Sequence, residues 1–192
     1  IDSDNNSFRA IPSPTIQQKQ DYKFVINPRY WVNNKEVKNK LSGKWDQEWL
    51  LTFRDICRSV DERTAIFSLL PRVAVNHKAP LLLSDKSVQY ISCLLANFNS
   101  LIFDFVTRQK VGGTSLSFFI VKQLPIIPPE RYTPEDIEFI SNRVLELVYT
   151  AWDMKPFAKD MGYDGEPFIW DEERRAKIRA ELDAKYAKLY GL

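Results

Sequence analysis

Between residues 22 and 83 the apolar positions fall into four short runs, 22–26, 50–56, 64–70 and 79–83, each rich in β-branched, aromatic or Leu residues and bounded by polar or turn-forming stretches. The pattern predicts four short strands joined by irregular loops, with residues 33–43 and 76–78 among the connections. From Ser84 the period changes. Val88, Ile91, Leu95, Phe98, Ile102 and Phe105 recur at three- and four-residue spacing behind a Ser-Asp start, which predicts a helix, or two helices with a bend between 97 and 100. Gly112 and Gly113 end it. Residues 115–121 are β-branched and aromatic enough to predict a further strand, after which the Pro-rich run 124–129 is expected to be extended.

Two helices are predicted to close the chain. Thr133 with Pro134 behind it is a strong start, and Ile137, Ile140, Val144, Leu147 and Val148 form its apolar stripe. The segment 154–170, rich in Gly, Pro and aromatics, is expected to be a loop. Asp171 then caps a last helix that carries Glu172 and Glu173 in its first turn, Gly191 beyond its end, and a stripe of Ile178, Leu182, Tyr186 and Leu189. Glu181 and Lys185 stand at i,i+4, the spacing of a pair on a solvated outer face. The expected fold is α+β: a small, twisted, mainly antiparallel sheet with packed helices and two bracing helices at the carboxy terminus. Residues 1–44 are read as a lead-in from an upstream region, 45–130 as the α+β domain and 131–192 as its helical extension.

Composition narrows the function classes. With 44% hydrophobic and 27% charged residues over 192 positions, the chain is expected to fold around one core. No stretch is apolar for long enough to span a bilayer, so no membrane partner is expected and a cytoplasmic location fits. Two cysteines, Cys57 and Cys93, and one histidine offer neither a disulfide framework nor a zinc site. The net charge of +2 is unevenly spread: residues 1–80 carry 13 Lys and Arg against 9 Asp and Glu, whereas the later parts are slightly acidic. That surplus permits a polyanionic partner without requiring one.

No catalytic constellation is complete. Asn27-Pro28-Arg29-Tyr30 approaches the loop with which adenine-N6 methyltransferases hold the target amine, but Arg stands where a second Pro belongs, and the segment is read as a turn. Asp21 with Glu36 and Lys38 loosely fits the acidic-then-E-x-K arrangement of metal-dependent nucleases, yet Glu36 lies in a hydrophilic stretch read as a solvated loop. Gly112-Gly113-Thr114-Ser115 lacks the Lys of a phosphate-binding loop, and His77 has no partner motif. Trp45, Trp49, Trp152 and Trp170 are expected in packing, and Asn97, Asn99 and Ser100 at the helix bend or as caps.

Three stretches in order carry a resemblance. The first is Phe53-Arg54-Asp55-Ile56, Asp61-Glu62-Arg63-Thr64-Ala65-Ile66 and Leu70-Pro71-Arg72. The second is Leu94-Leu95-Ala96-Asn97-Phe98-Asn99-Ser100, followed by Gly112-Gly113 and Leu124-Pro125-Ile126. The third runs from Ala151-Trp152-Asp153 through Gly162-Tyr163-Asp164-Gly165 and Phe168-Ile169-Trp170-Asp171-Glu172-Glu173-Arg174-Arg175 to Leu189-Tyr190-Gly191-Leu192. Together they resemble the carboxy-terminal target-recognition region of adenine-specific DNA methyltransferases of the type IIG restriction-modification class, including phage-defence methylases, over residues 45–192. The resemblance implies sequence-specific recognition of double-stranded DNA in service of a methylase domain upstream in the same parent chain, with S-adenosylmethionine bound there and no cofactor in this part. Base and phosphate contacts need long donors on strands and loops, and Arg54, Arg58, Arg63, Arg72, His77 and Lys78 are the candidates, with Arg63 the preferred base reader and Lys78 the preferred phosphate contact. The alternatives are a metal-dependent nuclease using Asp21, Glu36 and Lys38, and an interaction module whose last helix docks on another subunit.

Overall fold

The structure is a computed structural model that describes residues 13–28 and 30–192. A short helix, α1 (Ile16–Gln20), is closed by a capping box in which Thr15 and Gln18 satisfy each other's backbone N–H groups. Residues 22–26 form no strand. The Asp21 carboxylate accepts the Lys23 N–H at 2.9 Å and the Asp21 carbonyl that of Phe24, so the chain turns where a ladder was expected. Arg29, in the segment compared with the methyltransferase amine loop, lies outside the described residues. The hydrophilic stretch expected to be a loop is instead helix α2 (Asn34–Leu41), capped by the Asn33 side chain; Val37 and Leu41, one turn apart, pack on the core.

The sheet has three antiparallel strands, β1 (Trp49–Phe53), β2 (Phe67–Pro71) and β3 (Leu81–Leu82), in the order β2-β1-β3. Phe53 pairs with Phe67 and Trp49 with Pro71, so the sequence ends of β1 and β2 lie at opposite ends of the sheet. All five residues of β1 are buried, as a central strand covered on both faces requires. Pro71, which has no N–H to donate, ends edge strand β2.

Helices α3 (Val88–Phe98) and α4 (Leu101–Lys110) bend by 60° at Asn99–Ser100. Ser100 caps α4, while the Asn99 side chain accepts from the Phe67 N–H at 3.1 Å and donates to the Phe67 carbonyl at 3.0 Å. One amide therefore takes the place of a strand partner on the open edge of β2. Asn97, fully buried, donates to the Tyr190 hydroxyl and accepts from Ile127 N–H, tying the bend to the Pro segment and the last helix. Across this corner Phe67 stacks on Phe98, and Phe103 meets both edge-on.

The strand expected at 115–121 is reduced to one bridge, Ser115 with Ile56, before Ser117 opens a single helical turn, α5 (Phe118–Val121). β1 already has neighbours on both sides, and only its continuation at Asp55–Cys57 is left for this segment to pair with. Helix α6 (Pro134–Val148) starts as expected, with a Thr133–Asp136 capping box and Ile140, Val144 and Leu145 buried. The supposed loop that follows holds a short helix, α7 (Lys155–Asp160), whose Phe157 packs edge-on against Trp49; Asp160 accepts the Trp49 indole N–H at 2.7 Å. Gly162 turns the chain out of it at φ 82°. The last helix, α8 (Glu172–Tyr190), is capped by Asp171 and ends at Gly191 with φ 87°. Glu181 and Lys185 do not pair with each other: Glu181 takes Arg143 at 2.8 Å and Lys185 takes Asp136, so both reach across to α6. The fold is α+β, and no single described helix is long and apolar enough to cross a membrane.

Candidate nucleic-acid interface

Past Phe53, β1 runs into a loop, residues 54–66, that returns into β2 at the same end of the sheet. Such a loop is a fixed platform only if its backbone groups are satisfied, and here α4 supplies the partners. Asp104, buried, accepts the Thr64 and Ala65 N–H groups at 2.9 and 2.7 Å and the Arg108 Nε at 2.8 Å. Arg108 passes the tie on by donating to the carbonyls of Ser59 and Glu62. Asp55 holds the other side. It bonds Lys78 Nζ at 2.8 Å and the Ser115 hydroxyl, and its backbone accepts from Leu116.

Four of the six predicted recognition residues converge here. Arg54, Arg58 and Lys78 border a groove of about 460 Å³ floored by Cys57, with Ile56 and Thr114 on its walls. His77 precedes Lys78 in a turn that the Asn76 side chain closes by accepting the Lys78 N–H, and it is exposed. The side chain of Arg58 is 67% exposed, that of Lys78 44% and that of Arg54 41%. Ile56 and Val60 of the same loop also face solvent.

These cations are not bare. Arg58 and Arg54 share Asp61, at 3.1 and 3.4 Å, and Arg54 also donates to the Arg63 carbonyl at 2.7 Å. Hydrogen bonds from Arg58, the backbone N–H foremost, hold Asp61 below the usual carboxylate range, and the bonds from Lys78 and then Ser115 do the same for Asp55. Burial pushes the Cys57 thiol up, which keeps it protonated and unreactive.

The other two candidates lie elsewhere. Arg72 follows β2 at the far end of the sheet, pairs with Glu48 at 2.9 Å, and its side chain is only 11% exposed. Arg63, preferred in sequence as a base reader, turns inward and donates to the Asn99 carbonyl at 2.7 Å, at the rim of a separate cavity. Sequence reasoning missed Asp104 and Arg108, which make the platform. Their i,i+4 spacing was visible, but their targets lie some 40 residues away in sequence. As for metal chemistry, Asp21 is engaged by its own turn, Glu36 stands in the first turn of α2, and no cluster of three or more His, Cys, Asp or Glu among the described residues could hold an ion. Comparison with known protein families, curated proteins and solved structures finds no match to this chain.

Proposed function

We propose that this chain is a double-stranded DNA recognition module serving an adenine-N6 methyltransferase of the restriction-modification type, with methyl transfer from S-adenosylmethionine assigned to an upstream domain of the parent protein. The observation that carries this reading is the convergence of Arg54, Arg58 and Lys78 on a loop pinned at both ends, with His77 adjoining. Phosphate contacts fix register and base contacts read sequence, and both need donors whose backbone does not wander. The resemblance read from the order of the three stretches in the sequence points to the same role. Arg58 is best placed to reach a base edge, because it is the most exposed of the group and extends from a loop bearing exposed Ile56 and Val60, suited to thymine methyls. Lys78 and Arg54 are assigned to phosphates.

Charge balance sets how binding should behave. Asp55 and Asp61 offset much of the cations' charge in the free protein, so nonspecific attraction to phosphates is held down. The rival interaction module needs the apolar stripe of α8 for a partner, but Ile178, Leu182 and Tyr186 are buried within this chain. The test is fluorescence anisotropy with a pool of random duplexes between about 50 and 200 mM salt. Binding should weaken with salt, Lys78→Ala should lower the salt slope by about one, and Arg58→Ala should flatten the preference recovered by selection from the pool. Absence of salt-dependent binding by the chain and by its parent, or binding that ignores both substitutions, removes the proposal.

A further inference from the structure

A second cavity of about 330 Å³ lies between β2, the α3–α4 bend and the α6–α8 pair. Its floor is apolar, formed by Phe67, Leu95, Val144 and Leu182. Its rim carries three guanidinium groups, Arg63, Arg175 and Arg179, against one carboxylate, Asp183. Asp183 lies within electrostatic reach of Arg63 and Arg179 and offsets only one of the three positive charges. One Asp183 oxygen accepts the Leu101 N–H at 2.8 Å, and no ion pair to Asp183 is formed among the described residues.

One of the three cations, Arg63, is under-satisfied. Arg63 spends one terminal nitrogen on the Asn99 carbonyl, and its other, Nη1, is buried with no hydrogen-bond partner. A buried charged donor without an acceptor is rare, because it has lost water and gained nothing in return. Arg175 donates to the Leu147 carbonyl at 2.8 Å and lies flat on the Trp170 ring, 3.7 Å from its centre. Burial, with Arg179 close by, pushes Arg175 down to about 10. Arg179 itself is exposed at the mouth.

We propose that this cavity binds a carboxylate carried on a compact apolar body, the anion taken by Arg63, Arg175 and Arg179 and the body laid on the floor of Phe67, Leu95, Val144 and Leu182. The planar guanidinium fork matches a carboxylate in two parallel bonds. A bare phosphate would leave the apolar floor wet. The cavity is of the size that encloses small ligands. The site is independent of the DNA-recognition reading, since it shares no residue with the groove at Arg54, Arg58 and Lys78.

Isothermal titration calorimetry on the whole chain tests it, with phenylbutyrate as the free acid, phenylbutyramide as its neutral counterpart, a blocked Leu-Glu-Leu peptide as the protein-borne carboxylate, and inorganic phosphate. Phenylbutyrate or the peptide should bind saturably, and whichever binds more tightly identifies the natural source as a small acid or a side chain. The amide should bind at least about tenfold more weakly than the acid, because a charge-assisted contact is lost. Arg63→Ala also removes the Asn99 contact and is expected to destabilise the fold. Arg179→Ala, at the exposed mouth, should weaken phenylbutyrate about tenfold while leaving the melting temperature unchanged. Equal binding of acid and amide, unaltered affinity in Arg179→Ala, complete displacement by stoichiometric phosphate, or no saturable binding of acid or peptide overturns the proposal.

Discussion

Asp104 shows how much one side chain holds in place. Its two oxygens serve two loop N–H groups and the Arg108 guanidinium, which in turn serves two loop carbonyls. Asp104→Ala removes an acceptor from three buried or half-buried donors and is expected to cost about 3 kcal/mol in urea unfolding. A loss below about 0.5 kcal/mol, the range of an ordinary surface change, would show that the loop does not depend on this tie. Asp55 gives a pH signature. Its pKa is lowered from an ordinary value of 3.8 by Lys78 and Ser115, so its contribution is present above that value and is lost as the pH falls through the lower folded value. Asp55→Asn should therefore lower stability at neutral pH and shrink the loss of stability on acidification. Parallel acid limbs for mutant and wild type would contradict this.

Among the elements, α8 depends on burial more than on its charges. Its stripe of Ile178, Leu182 and Tyr186 is buried, and the Tyr186 hydroxyl donates to the Cys93 carbonyl at 2.6 Å. The ion pairs to α6, Arg143–Glu181 and Lys185–Asp136, are partly exposed and worth fractions of a kcal/mol each. Leu182→Ala should accordingly cost about 2–5 kcal/mol, more than removal of either pair. Thermal unfolding decides, and an unchanged midpoint in Leu182→Ala would mean that α8 is not held by its apolar face. The cap residues of α6 and α8 were readable in the sequence because a cap is a contact over three residues. Helices α2, α5 and α7 were not readable. Each is short, and packing rather than local propensity keeps it, through Val37 and Leu41, Val121, and Phe157.

At the scale of the molecule, one core runs through both the sheet and the closing helices. Buried residues of β1, α3, α6 and α8 belong to one cluster, and α3 lies along α6. The chain should unfold in one transition, and its thiols report on it. Cys57 and Cys93 are both buried, and burial pushes Cys93 up to about 12. Ellman's reagent should label neither thiol in native buffer, and both should react together at the rate of global unfolding. Rapid labelling of one thiol in the native protein, or two separate transitions, would show independently opening parts.

What the sequence determined by itself is what depends on near neighbours. The 3.6-residue stripes, the Thr133 and Asp171 caps, the bend at Asn97–Ser100 and the run of β-character before Ser84 were all set within a few positions. They placed the two longest helices, the bent pair and three strands. The tertiary structure decided which candidate cations share a surface. Strand pairing brings Arg54 and Lys78 to one end of the sheet and sends Arg72 to the other, while the Asn99 carbonyl draws Arg63 inward. It also decided that residues 115–121 would not pair as a strand, because β1 had both edges filled, and that Glu181 and Lys185 would bind α6. The physical reason is the same in each case: a cap or stripe is satisfied within one or two turns of chain, whereas a buried donor or a long charged side chain takes the nearest partner that folding supplies.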